Sequence, residues 1–167
     1  MQENILTGLQ QQAEALQQLG SLYQEEGEEK EALQYYEQSL SILKALPAAE
    51  SAPLILLAMK QIGSIHYEME HFAPALQSFE KALELIGKYT PGPPAPVKLE
   101  AAAMATLSAA IQMEQTAGGR KAGGSRDAAQ FISLAEQYLD DLEEEDALVE
   151  QRQEELNALK GILKGML

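Results

Sequence analysis

The chain has 167 residues, no cysteine and a formal net charge of −14. The missing cysteines exclude disulfides, thiolate metal sites and a cysteine nucleophile, and the negative charge disfavours binding to nucleic acid or anionic membrane surfaces. With 46% hydrophobic residues but only 5% aromatics, the core is expected to be built from Leu, Ala, Ile and Met, which favours helices.

Four helices are predicted in the first half of the chain, because apolar residues recur every three or four positions. The first covers Ile5–Tyr23 and the second Ala32–Leu43. The two prolines in LPAAESAP, residues 46–53, predict a connection. Helical spacing resumes over Leu54–Met69, and a fourth helix is predicted to open at Pro74, a residue tolerated in a first turn.

Three more helices are predicted in the second half. YTPGPPAP, residues 89–96, has four prolines in eight residues and is therefore not expected to be helical. A third pair of helices follows, Val97–Gln115 and Asp127–Leu139, with Asp127 as the N-cap of the second. The last helix is placed within 145–166. No segment alternates with period two, so the fold class is all-α, with three helical hairpins and a closing helix.

Two stretches of the sequence share one pattern, LGSLYQEEGEEKEALQYYEQSL at 19–40 and IGSIHYEMEHFAPALQSFEKAL at 62–83. Glycine, alanine and an aromatic residue stand at the same intervals of twelve and sixteen residues in both, as Gly20, Ala32 and Tyr36 and as Gly63, Ala75 and Phe79. Two helices per unit, with small residues where helices approach closely, is the pattern of a tetratricopeptide repeat. The chain therefore resembles the tetratricopeptide repeat (TPR) family.

The resemblance extends over three units, about 13–46, 56–89 and 101–141. In the first unit the family pattern is also matched by Leu16, Leu19, Tyr23, Gly27 and Ile42, with Ser39 where Ala is usual. In the second unit it is matched by Met59, Ile62, Phe72, Ala82 and Leu85, and His66 replaces a Tyr. In the third unit it is matched by Met104, Leu107, Ser108, Ile111, Ala128, Ile132 and Ala135. The units repeat every 43 to 45 residues instead of the nominal 34, which is an extended spacing. The resemblance implies a single domain over 1–167, a right-handed TPR-like α-solenoid with a C-terminal capping helix at 145–166.

For function, the resemblance implies a concave groove that holds a peptide or helix of a partner protein. Applied position by position, it predicts a partner-binding set that is polar and nearly uncharged and becomes apolar toward the third unit: Gln17, Ser21, Gln24, Lys60, Ser64, Tyr67, Thr106, Ala109, Gln112 and Met113. A clamp for an acidic C-terminus needs several basic donors, and only Lys60 qualifies. We therefore expect a non-enzymatic adaptor or assembly factor whose partner is a neutral to basic protein or peptide.

Two other functions stay open at this point. One is a structural homo-oligomerisation module, in which the C-terminal helix presents its apolar stripe to a second copy. The other is a small TPR chaperone for a secreted or assembling protein. No catalytic residue, cofactor, nucleic acid or membrane insertion is predicted, and the N-terminal sequence lacks a basic region followed by an apolar run, so a cytoplasmic protein is expected.

Three remaining features are interpreted as structural. The acidic run DDLEEED at 140–146 lacks the ligand spacing of an EF-hand, and the glycine-rich basic segment at 116–127 does not match a P-loop; both are predicted connections. His66 and His71 are five residues apart, with a turn between them, which does not favour a zinc site. His66 is expected to be partly buried.

Overall fold

The structure is a computed structural model that describes residues 2–88, 93–117, 126–140, 142 and 147–166. Within these ranges the chain forms helices and no strand, which confirms the all-α prediction. In chain order they are α1 (Gln2–Glu25), α2 (Glu29–Lys44), α3 (Ala48–Glu68), α4 (Phe72–Gly87), α5 (Ala95–Ala117), α6 (Ala128–Asp140) and α7 (Ala147–Met166). The chain divides into two compact units, 1–78 and 79–167, which are described separately. The prediction of a single domain stays a prediction.

In the unit formed by residues 1–78, α2 packs against both α1 and α3. The sharp reversal after α1 depends on Gly27, which has a φ of 79°, a left-handed conformation that glycine adopts without steric cost. The amide of Glu28 donates to the carbonyl of Tyr23 at 2.9 Å and closes the helix end. Behind this turn, Ala32 and Tyr36 of α2 pack with Ile62 and Ile65 of α3 in one buried cluster.

Two polar side chains tie α1 to its neighbours. Ser39 is fully buried, and its hydroxyl donates to the carbonyl of Ala13 at 2.8 Å. Gln17 is also buried, and its Nε2 donates to the carbonyl of Leu54 at 3.0 Å. A buried polar group is costly unless it is hydrogen-bonded, so each bond allows a polar residue at a helix crossing. The hydrogen bond of Ser39 to Ala13 explains why a serine is compatible with a position where the family usually has Ala.

The connection predicted at 46–53 is wrong in extent, because α3 already begins at Ala48 and contains Pro53. Pro47 precedes the helix with φ −56° and ψ 130°, an extended conformation suited to a residue just before a first turn. The first four amides of a helix have no intrahelical acceptor. Pro53 is the sixth residue of α3, so its missing N–H removes only one hydrogen bond near the helix start.

In the unit formed by residues 79–167, α5 packs against α6, and α7 packs against both. The predicted N-cap of α6 is confirmed as a reciprocal capping box. The amide of Gln130 donates to Oδ1 of Asp127 at 2.8 Å, and the amide of Asp127 donates to Oε1 of Gln130 at 2.8 Å. The contacts of α7 with α5 and α6 are those expected of a capping helix.

Two sequence interpretations fall largely outside the described residues. These are the glycine-rich basic segment, of which 118–125 is not described, and the acidic run, of which 141 and 143–146 are not described. At the edge of the first, the carbonyl of Arg126 accepts a hydrogen bond from Nε2 of Gln112 at 2.7 Å. This bond ties α5 to the residue that precedes the α6 cap.

Candidate partner-binding groove

A cavity of about 330 Å³ lies between α1 and α3. These are the first helices of the first two predicted repeat units, and the cavity lies entirely within residues 1–78. The side chains around it are mostly amides, hydroxyls and apolar groups, with one carboxylate: Glu14, Gln17, Gln18, Ser21, Tyr36, Leu57 and Gln61. Two of the predicted groove residues, Gln17 and Ser21, are among those that line it.

Tyr36 of α2 contributes its ring to this cavity and is itself only 2% exposed. Its hydroxyl donates to Oε1 of Gln24 at 3.3 Å and is hydrogen-bonded to the hydroxyl of Ser21. Burial raises the pKa of the Tyr36 phenol, while the hydrogen bond with Ser21 acts in the opposite direction. The phenol therefore stays protonated at neutral pH and keeps its hydrogen to donate to Gln24.

The three residues predicted on α1 are thus brought together, although with different roles. Gln17 and Ser21 line the cavity, and Gln24 bonds the tyrosine that lines it. The side-chain amide of Gln17 also donates a hydrogen bond to the carbonyl of Leu54, and this bond holds α1 and α3 at their present separation. Ser21 is exposed and is the better placed of the two to contact a ligand.

The three residues predicted on α3 do not line the cavity. Lys60, Ser64 and Tyr67 are all half-buried. The ring of Tyr67 lies edge-on to that of Phe72, with 5.8 Å between the centroids and 66° between the planes. This aromatic pair joins the end of α3 to the start of α4, so it restrains Tyr67 by packing within the unit.

The four residues predicted on α5, a helix of the unit formed by residues 79–167, are buried. Thr106, Ala109, Gln112 and Met113 are between 0% and 7% exposed. The Thr106 hydroxyl donates to the carbonyl of Ala102 at 2.7 Å, and Gln112 bonds Arg126 as described above. Because buried side chains cannot contact a ligand in this conformation, these four pack the interior where the sequence analysis expected a binding surface.

The sequence analysis missed five of the seven residues around the cavity. Glu14, Gln18, Leu57 and Gln61 lie one helical turn before the predicted positions or on the adjacent face. Tyr36 was interpreted only as the aromatic residue of the repeat pattern. A signal was present, because Leu57 and Gln61 stand 43 residues after Glu14 and Gln18, the same offset that relates Gly63 to Gly20.

The two histidines lie near each other at the end of α3. Their ring centroids are 5.9 Å apart and tilted by 42°, and His66 is half-buried as expected. The Nδ1 atom of His66 is buried without a hydrogen-bond partner. Burial, and next the proximity of His71, lower the pKa of His66. Among the described side chains, no group of three or more His, Asp or Glu is placed to hold a metal ion.

A second cavity, of about 550 Å³, lies between α6 and α7. It is bordered by the ion pair of Lys160 with Glu136 and by apolar residues that include Ile132 and Leu163. These helices are the second helix of the third predicted hairpin and the closing helix. The cavity is therefore not part of the groove formed by the first helices of the hairpins.

The repeated spacing and the cavity between α1 and α3 define a helical-repeat protein. Residues 11–87 match the family model described as tetratricopeptide repeat, which supports a tetratricopeptide repeat assignment for this part of the chain. The match covers the first two predicted units; the third stays a prediction. TPR repeats generally mediate protein–protein interaction and are typically non-enzymatic scaffolds.

A comparison with curated proteins found no match to the chain. None of the helices in the ranges that the structure describes has both the length and the apolar character needed to cross a membrane.

Proposed function

We propose that this chain is a non-enzymatic adaptor or assembly factor that binds a peptide or helix of a partner protein in the groove between α1 and α3. The observation that carries the proposal is the cavity of about 330 Å³ between these helices. Its volume is at the lower end of the range for ligand pockets, about 300 to 1,000 Å³. It has room for one partner side chain and the adjoining main chain.

The chemistry of the cavity suits a polypeptide ligand. Gln18 and Gln61 each carry an amide that can donate to a carbonyl and accept from an N–H, and the exposed Ser21 hydroxyl can do both. Leu57, which is half-buried, provides an apolar contact for a partner side chain. The Gln17 bond to Leu54 holds the two walls in place, which reduces the ordering cost of binding.

The partner is expected to be neutral to basic. Glu14 is the one carboxylate among the residues that line the cavity, and the chain as a whole carries −14. An acidic peptide would meet repulsion without a cluster of basic donors to offset it. Action in the cytoplasm and the absence of any catalytic step are part of the proposal.

The test is co-purification of tagged chain from its native cells, followed by mass spectrometry. Ser21→Arg and Gln61→Arg are designed to fill the cavity from its two walls. Gln38→Arg is the control, because Gln38 is exposed on α2 and does not line the cavity. A partner that is lost from both cavity variants and retained by Gln38→Arg supports the proposal.

A partner retained equally by all three variants, each shown to be folded by circular dichroism, would overturn it. Lys60→Glu and Tyr67→Ala extend the test along α3. Loss of the partner there as well would mean that the ligand runs beyond the cavity, as the family resemblance implies. Retention would confine the contact to the cavity itself.

A further inference from the structure

One face of α1 carries an exposed apolar stripe that lies away from the groove. The large side chains Ile5, Leu19 and Leu22 are 62%, 40% and 56% exposed. They belong to a set of six exposed residues on α1 that are spaced alternately three and four positions apart. The set is Ile5, Gly8, Gln12, Ala15, Leu19 and Leu22. This spacing is that of a helix seam that packs against a second helix. We call this set the α1 stripe.

The α1 stripe is separate from both the core and the groove. The core side of α1 is formed by residues such as Ala13 and Gly20, which are buried. The groove side is formed by Glu14, Gln17, Gln18 and Ser21. A helix needs one apolar face to pack into its own unit, and on α1 the buried side supplies that face.

The charge distribution points to what covers the stripe. In a chain of net charge −14, the six stripe positions contain no ionisable residue. The positions that border it on the side away from the core are Asn4, Gln11 and Gln18, which are uncharged, and Glu25 at the C-terminal end of α1. A second copy can therefore approach along this face without bringing carboxylates together, which the rest of so acidic a surface would not allow.

The stripe is also complementary to itself when two copies run antiparallel. In that arrangement Ile5 faces Leu22 of the second copy, Gly8 faces Leu19, and Gln12 faces Ala15. Large residues thus meet small ones in the middle layers, which allows close packing of the two helices. A two-fold interface requires such a self-complementary surface.

We propose that α1 pairs with α1 of a second copy of this chain, antiparallel, through the α1 stripe. The seam is only one helix wide, so it falls at the small end of protein interfaces and forms a weak, concentration-dependent dimer. The grooves of both copies remain open, because the stripe and the groove lie on different faces of α1.

The closing helix does not offer an equivalent seam. Leu148 and Ile162 of α7 are 53% and 58% exposed. Between them on the same face stand Arg152 and Glu155, joined by an ion pair of 2.9 Å. Burying this pair against another helix would carry a desolvation cost, so charged groups interrupt the apolar surface of α7, whereas Gln12, the polar residue in the α1 stripe, is uncharged.

The first experiment is multi-angle light scattering of the 167-residue chain over a wide concentration range. We expect the mass to rise from 18.2 kDa toward twice that value. Leu19→Glu and Leu22→Glu place carboxylates in both halves of the seam and should hold the mass at the monomer value, with helical circular dichroism unchanged. Leu148→Glu is the matched control, an exposed leucine on α7, and should dimerise like the parent chain.

The second experiment tests the orientation and uses the absence of native cysteine. Ile5→Cys and Leu22→Cys chains are mixed and oxidised; the antiparallel seam predicts a disulfide between the two different chains in preference to either chain with itself. A monomer at all concentrations would overturn the proposal and would mean that another protein or segment covers the stripe. A dimer that survives Leu19→Glu, or disulfides formed mainly between identical variants, would overturn it as well.

Discussion

A β-carbon on Gly20 would lie 3.0 Å from Cε2 of Tyr36 and 3.1 Å from two further atoms of the same ring. Tyr36 cannot easily withdraw, because its ring is packed with Ala32, Ile62 and Ile65 and its hydroxyl is bonded to Gln24. The glycine is therefore required for the close approach of α1 to α2, and the same contact fixes the tyrosine that lines the cavity.

Substitution of Gly20 should destabilise the protein although it removes a glycine from a helix. Gly20→Ala gains up to about 1 kcal/mol in helix propensity, but overpacking costs roughly 1 to 3 kcal/mol; we expect a net loss of about 1 kcal/mol, and a larger loss for Gly20→Val. The measurement is urea unfolding at low protein concentration. Gly8→Ala is the control, because nothing lies within 4 Å of its added β-carbon; a stabilisation of Gly20→Ala equal to that of Gly8→Ala would contradict the prediction.

Removal of the Gln17 amide should loosen α1 from α3. Gln17→Met keeps a similar volume but loses the hydrogen bond to the carbonyl of Leu54, at a cost of about 1 kcal/mol in the free energy of unfolding. Gln17→Glu should cost more, since it places a buried carboxylate against a carbonyl oxygen. Gln18→Met, at the exposed neighbouring position, should stay within about 0.5 kcal/mol of the parent. Equal effects of Gln17→Met and Gln18→Met would count against a structural role for the bond.

Stability should fall on mild acidification because of His66. Its folded-state pKa is lowered, mainly by burial and next by His71, while Glu37 acts in the opposite direction. Below the ordinary histidine value of about 6.5, the unfolded chain takes up the proton more readily than the folded protein, so stability is lost as the pH falls from that value toward the lowered pKa. The midpoint of thermal unfolding, followed between about pH 8 and pH 5, should fall less in His66→Gln.

The partial contribution of His71 provides a graded check. The charge of His71 is the second cause that lowers the pKa of His66. His71→Gln removes this charge but leaves the burial of His66 unchanged. Its pH dependence should lie between those of the parent and His66→Gln. Since the chain has only these two histidines, a parent-like slope in His66→Gln would assign the effect to other groups.

The sequence predicted the elements of the fold well because their signals are local. The helical periodicity, Gly27 and the Asp127 capping box all act within a few residues of where they stand. The start of α3 was missed because Pro53 breaks a helix only in its interior, and the composition of LPAAESAP does not reveal that the helix has just begun there.

The candidate site was harder to predict because it depends on how helices are rotated against each other. The predicted positions on α3 were carried over from the family pattern, whereas the cavity is formed one turn earlier, at Leu57 and Gln61. For α5, the sequence from Ala101 to Met113 contains no charged residue. A helix without a polar face is expected to be buried, and this signal could have removed Thr106, Ala109, Gln112 and Met113 from the groove.

The nearly uncharged lining of the cavity has a kinetic consequence. The net charge of −14 acts at a distance and is screened by salt, so it should speed the arrival of a basic partner mainly at low ionic strength. Once the partner is bound, its contacts with Gln18, Ser21 and Gln61 involve amides and a hydroxyl that salt barely affects. The association rate should therefore depend strongly on ionic strength, while the lifetime of the complex should hardly change.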